Sequence, residues 1–325
     1  MSADTRIVLS RKTRFKRYMK RAYEHKTLYL IFLPVLAWYI IFAYMPMFNP
    51  QTGGIFLAFK HFRMNMPFAE MEWVGLQWFN ALVSRPDFLN AFYNTIIISV
   101  GRLIIEFPLP IIIAILLNEL RINKFKRSFQ TIFTFPFFLS WILVIGIMRD
   151  FLMMDGAVNA FIRSIGGTPF NFMANADRIP NLLLVFLSNI WKNAGWGAII
   201  FMAAISGIDP TLYEAAHVDG ANRWQCIRHI TWPSIKSTAI VLLILQIGGL
   251  MNAGFDQIFN LQNSVNMRML NILDTYIYHM AFSVMGGAIN MGFIVAAGLF
   301  RSAINFTLLV IANFIAKVSG DYNIF

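Results

Sequence analysis

The sequence predicts an all-α, polytopic membrane protein with six transmembrane helices and both termini cytoplasmic. Three observations carry that fold class. Of the 325 residues, 58% are hydrophobic and 13% charged, where a soluble domain carries about 25% charged residues, and the mean hydropathy is +0.59. Apolar runs near 28–46, 94–118, 129–149, 182–206, 237–259 and 287–315 are each long enough to cross a hydrocarbon core of ~30 Å as a helix. None alternates with the period of two that a strand needs, and a helix satisfies its own backbone in lipid.

Residues 1–27 form a basic tail containing "RKTRFKRYMKR", expected to rest on anionic lipid and to set topology. The first span is read as retained rather than cleaved, because no small-residue cleavage site follows it in "AYMPMFNP". With the outer loop it makes a segment 28–93. That loop holds "GGIFLAFKHF" and "MEWVGLQWFNALVSRPDFLNAF", an aromatic, amphipathic stretch expected along the outer surface. The other five spans form a core, 94–316, and residues 317–325 a short tail.

Orientation follows from Lys and Arg. One set comprises Arg6, Arg11, Lys12, Arg14, Lys16, Arg17, Lys20, Arg21 and Lys26 in the tail, Arg121, Lys124, Lys126 and Arg127 after the second span, Arg223, Arg228 and Lys236 after the fourth, and Lys317. The smaller set, on the other side, is Lys60, Arg63, Arg85, Arg149, Arg163, Arg178 and Arg268. The richer side is cytoplasmic. A net charge of +11 suits either nucleic acid or a membrane surface; since the basic residues flank apolar runs, the lipid bilayer is the expected partner and nucleic acid is not. One cysteine, Cys226, excludes an internal disulfide, and the five histidines show no metal-ligand spacing.

Between the fourth and fifth spans lies the polar stretch "GIDPTLYEAAHVDGANRWQCIRHITWP". Asp209 suits an N-cap and Pro210 the first helical position. Thr211 to Val218 can continue the helix, and Gly220 can end it with positive φ. A second short helix is expected from about Asn222, and Pro233 leads into the fifth span. The small pair Ala215-Ala216 admits a close surface, with Glu214 and Asp219 offering charge at its edge. By itself this pattern also fits an amphipathic linker on the headgroups.

The spacing of Glu214, Ala215, Ala216, Gly220, Ile230 and Pro233 resembles the EAA motif of permease subunits of ATP-binding-cassette importers. Trp232 stands where that family usually has Leu, an apolar exchange expected to alter packing rather than role. "FPLPIIIAILLNELRINKFKRSFQTIFTFPFFLSW", "IWKNAGWGAIIFMAAISGIDPTLYEAAHVDGANRW" and "GFDQIF" are similar to the polysaccharide and oligosaccharide branch, and within it to alginate-type importer permeases. The resemblance spans roughly 28–316. It implies an importer-type permease fold and a non-catalytic half of a five-part machine in a bacterial cytoplasmic membrane. The other parts would be a second, related permease, two ATPase subunits and an extracytoplasmic solute-binding protein. A coupling helix at 210–220, with Glu214, Ala215, Ala216, Asp219 and Gly220, would dock in an ATPase. ATP and Mg would be bound by that partner, with no cofactor in this chain. Consistently, the sequence has no Gly-Lys dipeptide and hence no phosphate-cradling loop of the Walker type. The outer loop would form part of the dock for the solute-binding protein.

Charges inside spans normally face protein or water. In the fourth span Asn189, Lys192, Asn193 and Trp196 fall on one helical face; in the fifth, Asn252, Asp256 and Asn260 repeat every four residues. Either set can supply hydrogen bonds and a flat aromatic surface to a sugar, or glue helices together. Lys192 and Asp256 could also pair. Arg102 and Glu106, one turn apart, read as a mutually neutralising structural pair, and Arg301 as a cation at an interface. A basic pathway would suit an acidic, uronate-type sugar. Two other classes compete with this one. A membrane enzyme acting on lipid-linked sugar needs clustered carboxylates or a metal. A channel or secondary carrier leaves the Glu214–Pro233 spacing unexplained and usually shows repeated halves.

Overall fold

A computed structural model describes residues 24–49, 53–63, 66–120, 122–282 and 290–318. Most of the basic tail expected over 1–27, and the last seven residues of the chain, lie outside these. The described residues are helical apart from turns and one isolated bridge, Lys60 to Trp73. The chain divides into two compact units, residues 1–75 and 76–325.

In the first unit, α1 (Lys26–Phe48) is apolar all round and buries none of its residues. A π-turn at Ile40–Tyr44 widens it. Two 3₁₀ turns follow, Gly54–Phe59 and Phe68–Glu70, held by Lys60, whose ammonium donates to the Phe68 carbonyl at 2.8 Å.

The second unit carries α2 (Gln77–Val83), α3 (Pro86–Asn118), α4 (Asn123–Thr134), α5 (Trp141–Leu152), α6 (Ala157–Ser164), α7 (Arg178–Ser206), α8 (Pro210–Val218), α9 (Arg223–Gly248), α10 (Phe255–Leu261), α11 (Met267–Leu270), α12 (Leu273–Phe282) and α13 (Met291–Val318). Among the described residues of the whole chain, α1, α3, α9 and α13 are long and apolar enough to cross a membrane; the number rises to six if two bent pairs each count as one span.

Two expected spans are not continuous helices. The run at 129–149 breaks after a 3₁₀ turn at Phe135–Phe138, and the two arms meet at 100°. Pro136 has no amide to donate back along the helix, the chain turns extended at Leu139 (φ −77°, ψ 139°), and Ser140 starts α5 afresh by accepting the Leu143 amide at 3.3 Å. The run at 237–259 ends at Gly248 and resumes at Phe255. Gly248, Gly249 and Gly254 weaken the helix there, and Gly254 has φ +86°. Irregular backbone at this depth needs protein partners. Asn305 of α13 supplies one, accepting the Met251 amide at 2.8 Å.

Helices α3 and α7 run in the same direction, as successive contacts show. A Cβ on Gly101 would strike the Phe186 ring, Glu106 meets Asn189, and a Cβ on Gly197 would lie 3.0 Å from Pro110. Lipid supplies no hydrophobic drive between helices, so close approach through small residues does the packing. Gly195 illustrates it, since an added Cβ would collide with the Phe133 carbonyl of α4. Two apolar clusters result. One gathers Ile98, Val185, Ile258 and Ile272; the other gathers Ile111, Ala198, Phe201 and Ile235. A polar layer lies between them.

Candidate functional site

The polar loop builds as its sequence dictates. Asp209 accepts the Thr211 amide at 3.0 Å and Pro210 opens α8. That amide bond holds the Asp209 carboxyl below its ordinary value. At the other end Gly220 has φ +76°. Its amide reaches the His217 carbonyl at 3.1 Å, while the Ala221 amide reaches Ala216 at 2.8 Å. These two bonds are the Schellman stop. Asn222 and Gln225 then form a reciprocal capping box, at 2.9 and 2.7 Å, that starts α9.

Between its caps α8 is held from behind by one side chain. The Tyr213 hydroxyl meets Thr231 at 2.8 Å, and Thr231 is buried in a π-turn, Ile227–Thr231. The rest of the helix faces out, apart from Ala216. Glu214, Ala215, Asp219 and Gly220 are exposed and Ala216 half-buried. Val218 is 88% exposed and Trp224 70%, so apolar surface flanks the small pair. Arg223 and Glu119 approach to 3.9 Å, which places this loop beside the far end of α3.

The polar layer inside the helices is one connected chain. Asn193 donates to Asn189 at 2.6 Å, and Asn189 donates to the Glu106 carboxylate. Glu106 lies 3.9 Å from Arg102, whose guanidinium donates to Gln257. Gln257 in turn donates to Ser188 and to the Val185 carbonyl, both at 2.7 Å. A π-turn at Arg102–Glu106, a distortion that often marks functional positions, turns both charged groups into the layer. Glu106, Asn189, Asn193 and Gln246 border a cavity of about 270 Å³ whose other walls are apolar.

The expected fourth-span face therefore divides. Asn189 and Asn193 border the cavity together. Lys192 is buried and turns to the break between α4 and α5, where its ammonium donates to the Phe137 carbonyl at 2.6 Å. Trp196 stacks on the Phe137 ring at 4.3 Å. Asn252 and Asp256 do not share a helix, because Asn252 lies in the break between Gly248 and Phe255 and Asp256 in α10. Asn252 accepts from Asn305 at 3.3 Å, and Asp256 is exposed in the first turn of α10. Arg301 pairs with Asp274 of α12. Gln257 and Ser188 were missed by the sequence reading. The available signal was Arg102, a charge in an apolar run that one glutamate at the next turn does not fully satisfy. Among the described residues no group of His, Cys, Asp and Glu can hold a metal.

Residues 106–318 match the family described as binding-protein-dependent transport system inner membrane component. The chain is 38% identical over 319 residues to the polygalacturonan/rhamnogalacturonan transport system permease protein YteP of Bacillus subtilis, covering 98% of this chain and 96% of that protein. It is 38% identical over 309 residues to protein LplB of the same organism, covering 95% and 94%. A solved bacterial alginate ABC transporter, in complex with its alginate pentasaccharide-bound periplasmic protein, has a chain that superposes with a TM-score of 0.81 at 31% identity, covering 95% of this chain and all of that one. With more than half of its length inside the family match, the chain belongs to the binding-protein-dependent transport system inner membrane components.

Proposed function

We propose that this chain is the membrane-spanning, non-catalytic permease half of an ATP-driven importer for acidic oligo- or polysaccharides in a bacterial cytoplasmic membrane. The observation that carries the reading is α8: a nine-residue helix, capped at both ends and exposed along the Glu214–Gly220 edge. A helix so held transmits a push with little loss to α7 and α9. It receives the closing motion of a separate ATPase, which binds ATP and Mg, and passes it to the spans. Four partners complete the transporter: a second, related permease, two ATPase copies and an extracytoplasmic solute-binding protein. The acidic substrate class is supported by the polygalacturonan and alginate named for its relatives.

In this reading the chain crosses the membrane six times with both ends in the cytoplasm, α4 with α5 forming one broken span. Asn189 and Asn193 line the pathway, Trp196 offers a ring to sugar faces, and Lys192 holds that face by fixing Phe137. Asn252 and Asp256 border the pathway from the segment around the α9–α10 break.

The test is purification of the chain from native membranes in mild detergent beside a Glu214→Lys, Gly220→Trp version. The unaltered chain is expected to bring a P-loop ATPase and a second hydrophobic subunit, and the altered one the hydrophobic subunit alone. Absence of an ATPase from both, under conditions that keep other transporters whole, overturns the reading.

A further inference from the structure

At the other end of α3 from the polar loop lies a second cavity, of about 560 Å³, with two methionines in its wall and the polar groups of Asp87, Asn90, Arg268, Asn271, Tyr276 and His279 at its border. Helix α3 has 33 residues, about 50 Å at 1.5 Å per residue. Glu119, the residue after its last turn, pairs with Arg223 at the start of α9, just past α8, so this cavity sits at the opposite end from the proposed ATPase dock. The volume falls within the ~300–1,000 Å³ of small-molecule sites.

Its construction is specific. Asn90 donates to the Arg268 carbonyl at 2.7 Å, and Asn94 donates both to that carbonyl, at 3.0 Å, and to the Asn271 carbonyl, at 2.9 Å. The Asn94 oxygen accepts from Arg178 at 2.8 Å, which locks the amide's orientation. The buried Thr95 hydroxyl accepts the Leu273 amide at 2.9 Å. Several side chains of α3 are thus spent on fixing the short helix α11 and the start of α12. The side chain they bring to the cavity, Arg268, is exposed, and no hydrogen bond or ion pair occupies its guanidinium among the described residues. A planar fork of donors on a fixed backbone is suited to a carboxylate. Asp87 and Asn271 add an acceptor and an amide for hydroxyls. Tyr276, packed edge-on against Phe88 at 5.8 Å, forms a rigid wall.

We propose that this cavity is an entry site for one uronate ring of the incoming sugar, with Arg268 holding the ring carboxylate and Asp87 accepting its hydroxyls. This rests on the transport reading above and adds to it the place where acidic is told from neutral sugar. Discrimination here follows from the charge alone: a methyl ester of the same ring fits the same volume but leaves the guanidinium without its anion.

The test uses the assembled transporter in lipid nanodiscs without its solute-binding protein, titrated with tetragalacturonate and with the fully methyl-esterified tetrasaccharide. The unaltered complex is expected to bind the acid more tightly than the ester. Arg268→Gln is expected to weaken binding of the acid by roughly tenfold or more, as loss of a charge-assisted hydrogen bond does, and to leave the ester unchanged. Arg268→Lys, which keeps the charge but not the fork, is expected to fall between. Equal binding of acid and ester by the unaltered complex, binding of neither, or equal weakening of both by Arg268→Gln overturns the proposal. So does a loss confined to docking of the sugar-free solute-binding protein, which would make Arg268 a contact for a protein carboxylate. Each of these results leaves copurification of the ATPase untouched, so failure of this site is distinct from failure of the transport reading.

Discussion

Gly254 shows how tightly single residues are constrained around the polar layer. Its φ of +86° belongs to the left-handed region, and an added Cβ would lie 2.9 Å from one Arg102 guanidinium nitrogen and closer still to the other. The left-handed conformation alone costs a non-glycine residue about 1–2 kcal/mol, and displacing Arg102 breaks its bond to Gln257. Gly254→Ala is therefore expected to lower the thermal unfolding midpoint in detergent. Gly298→Ala, where a Cβ meets nothing within 4 Å, is expected to leave it unchanged or raise it. Equal midpoints for the two would mean that Arg102 is not held against Gly254. Lys192 teaches the companion lesson. Its position on the Asn189 face was legible from the sequence, but its partners, the Pro136 and Phe137 carbonyls, lie more than fifty residues away. No periodicity points to them.

Local chemistry is sufficient at the level of the element, most clearly in α8. Its cap, its first proline, its stop glycine and the start of the next helix near Asn222 were all readable from residue type and spacing, because each is made by neighbours within four or five residues. The cap also has a defined pH response. The Thr211 amide lowers the Asp209 pKa from its usual 3.8, so the capping contribution is whole above that ordinary value. It is lost only as pH falls through the lower, folded one. In the proposed transporter, stimulation of ATP hydrolysis by the solute-binding protein is expected to show no Asp209-dependent change between about pH 6 and 8. Asp209→Asn, which keeps an acceptor, should stay near the unaltered level, while Asp209→Ala should drop severalfold. A large loss in Asp209→Asn would assign the charge a role beyond capping. The two broken elements were less legible. Prolines and glycines marked both runs, but a helix tolerates such residues where neighbours re-satisfy the backbone. That satisfaction is tertiary.

At the scale of the molecule, the parallel course of α3 and α7, whose C-terminal ends meet the polar loop through Arg223 and Asp209, defines two ends of the helix bundle. The bent pair α4–α6 is then either one broken span or a re-entrant excursion. The proposed topology requires the former. In a Cys226→Ser background, Val218→Cys and Phe161→Cys report the two ends; both parent side chains are well exposed, at 88% and 66%. An impermeant maleimide added to intact cells is expected to label position 161 alone, and to label 218 only after permeabilisation. Labelling of position 161 only after permeabilisation would make the segment re-entrant and remove one crossing.

The sequence by itself determined the helical membrane class, the polar loop around α8 with its N-cap and stop glycine, and the family. Composition, contiguous apolar length and neighbour-to-neighbour spacing are local properties, and they survive without knowledge of what packs where. Tertiary structure alone decided where the spans break and that Glu106, Arg102, Gln257 and Ser188 join Asn189 and Asn193 in one layer. It also decided that Lys192 leaves that layer, and that Asn90 and Asn94 aim their amides at Arg268. Each of those facts joins residues from different helices. In a membrane, where lipid is as apolar as the helix faces, only the meeting of small residues and matched polar groups fixes which faces touch.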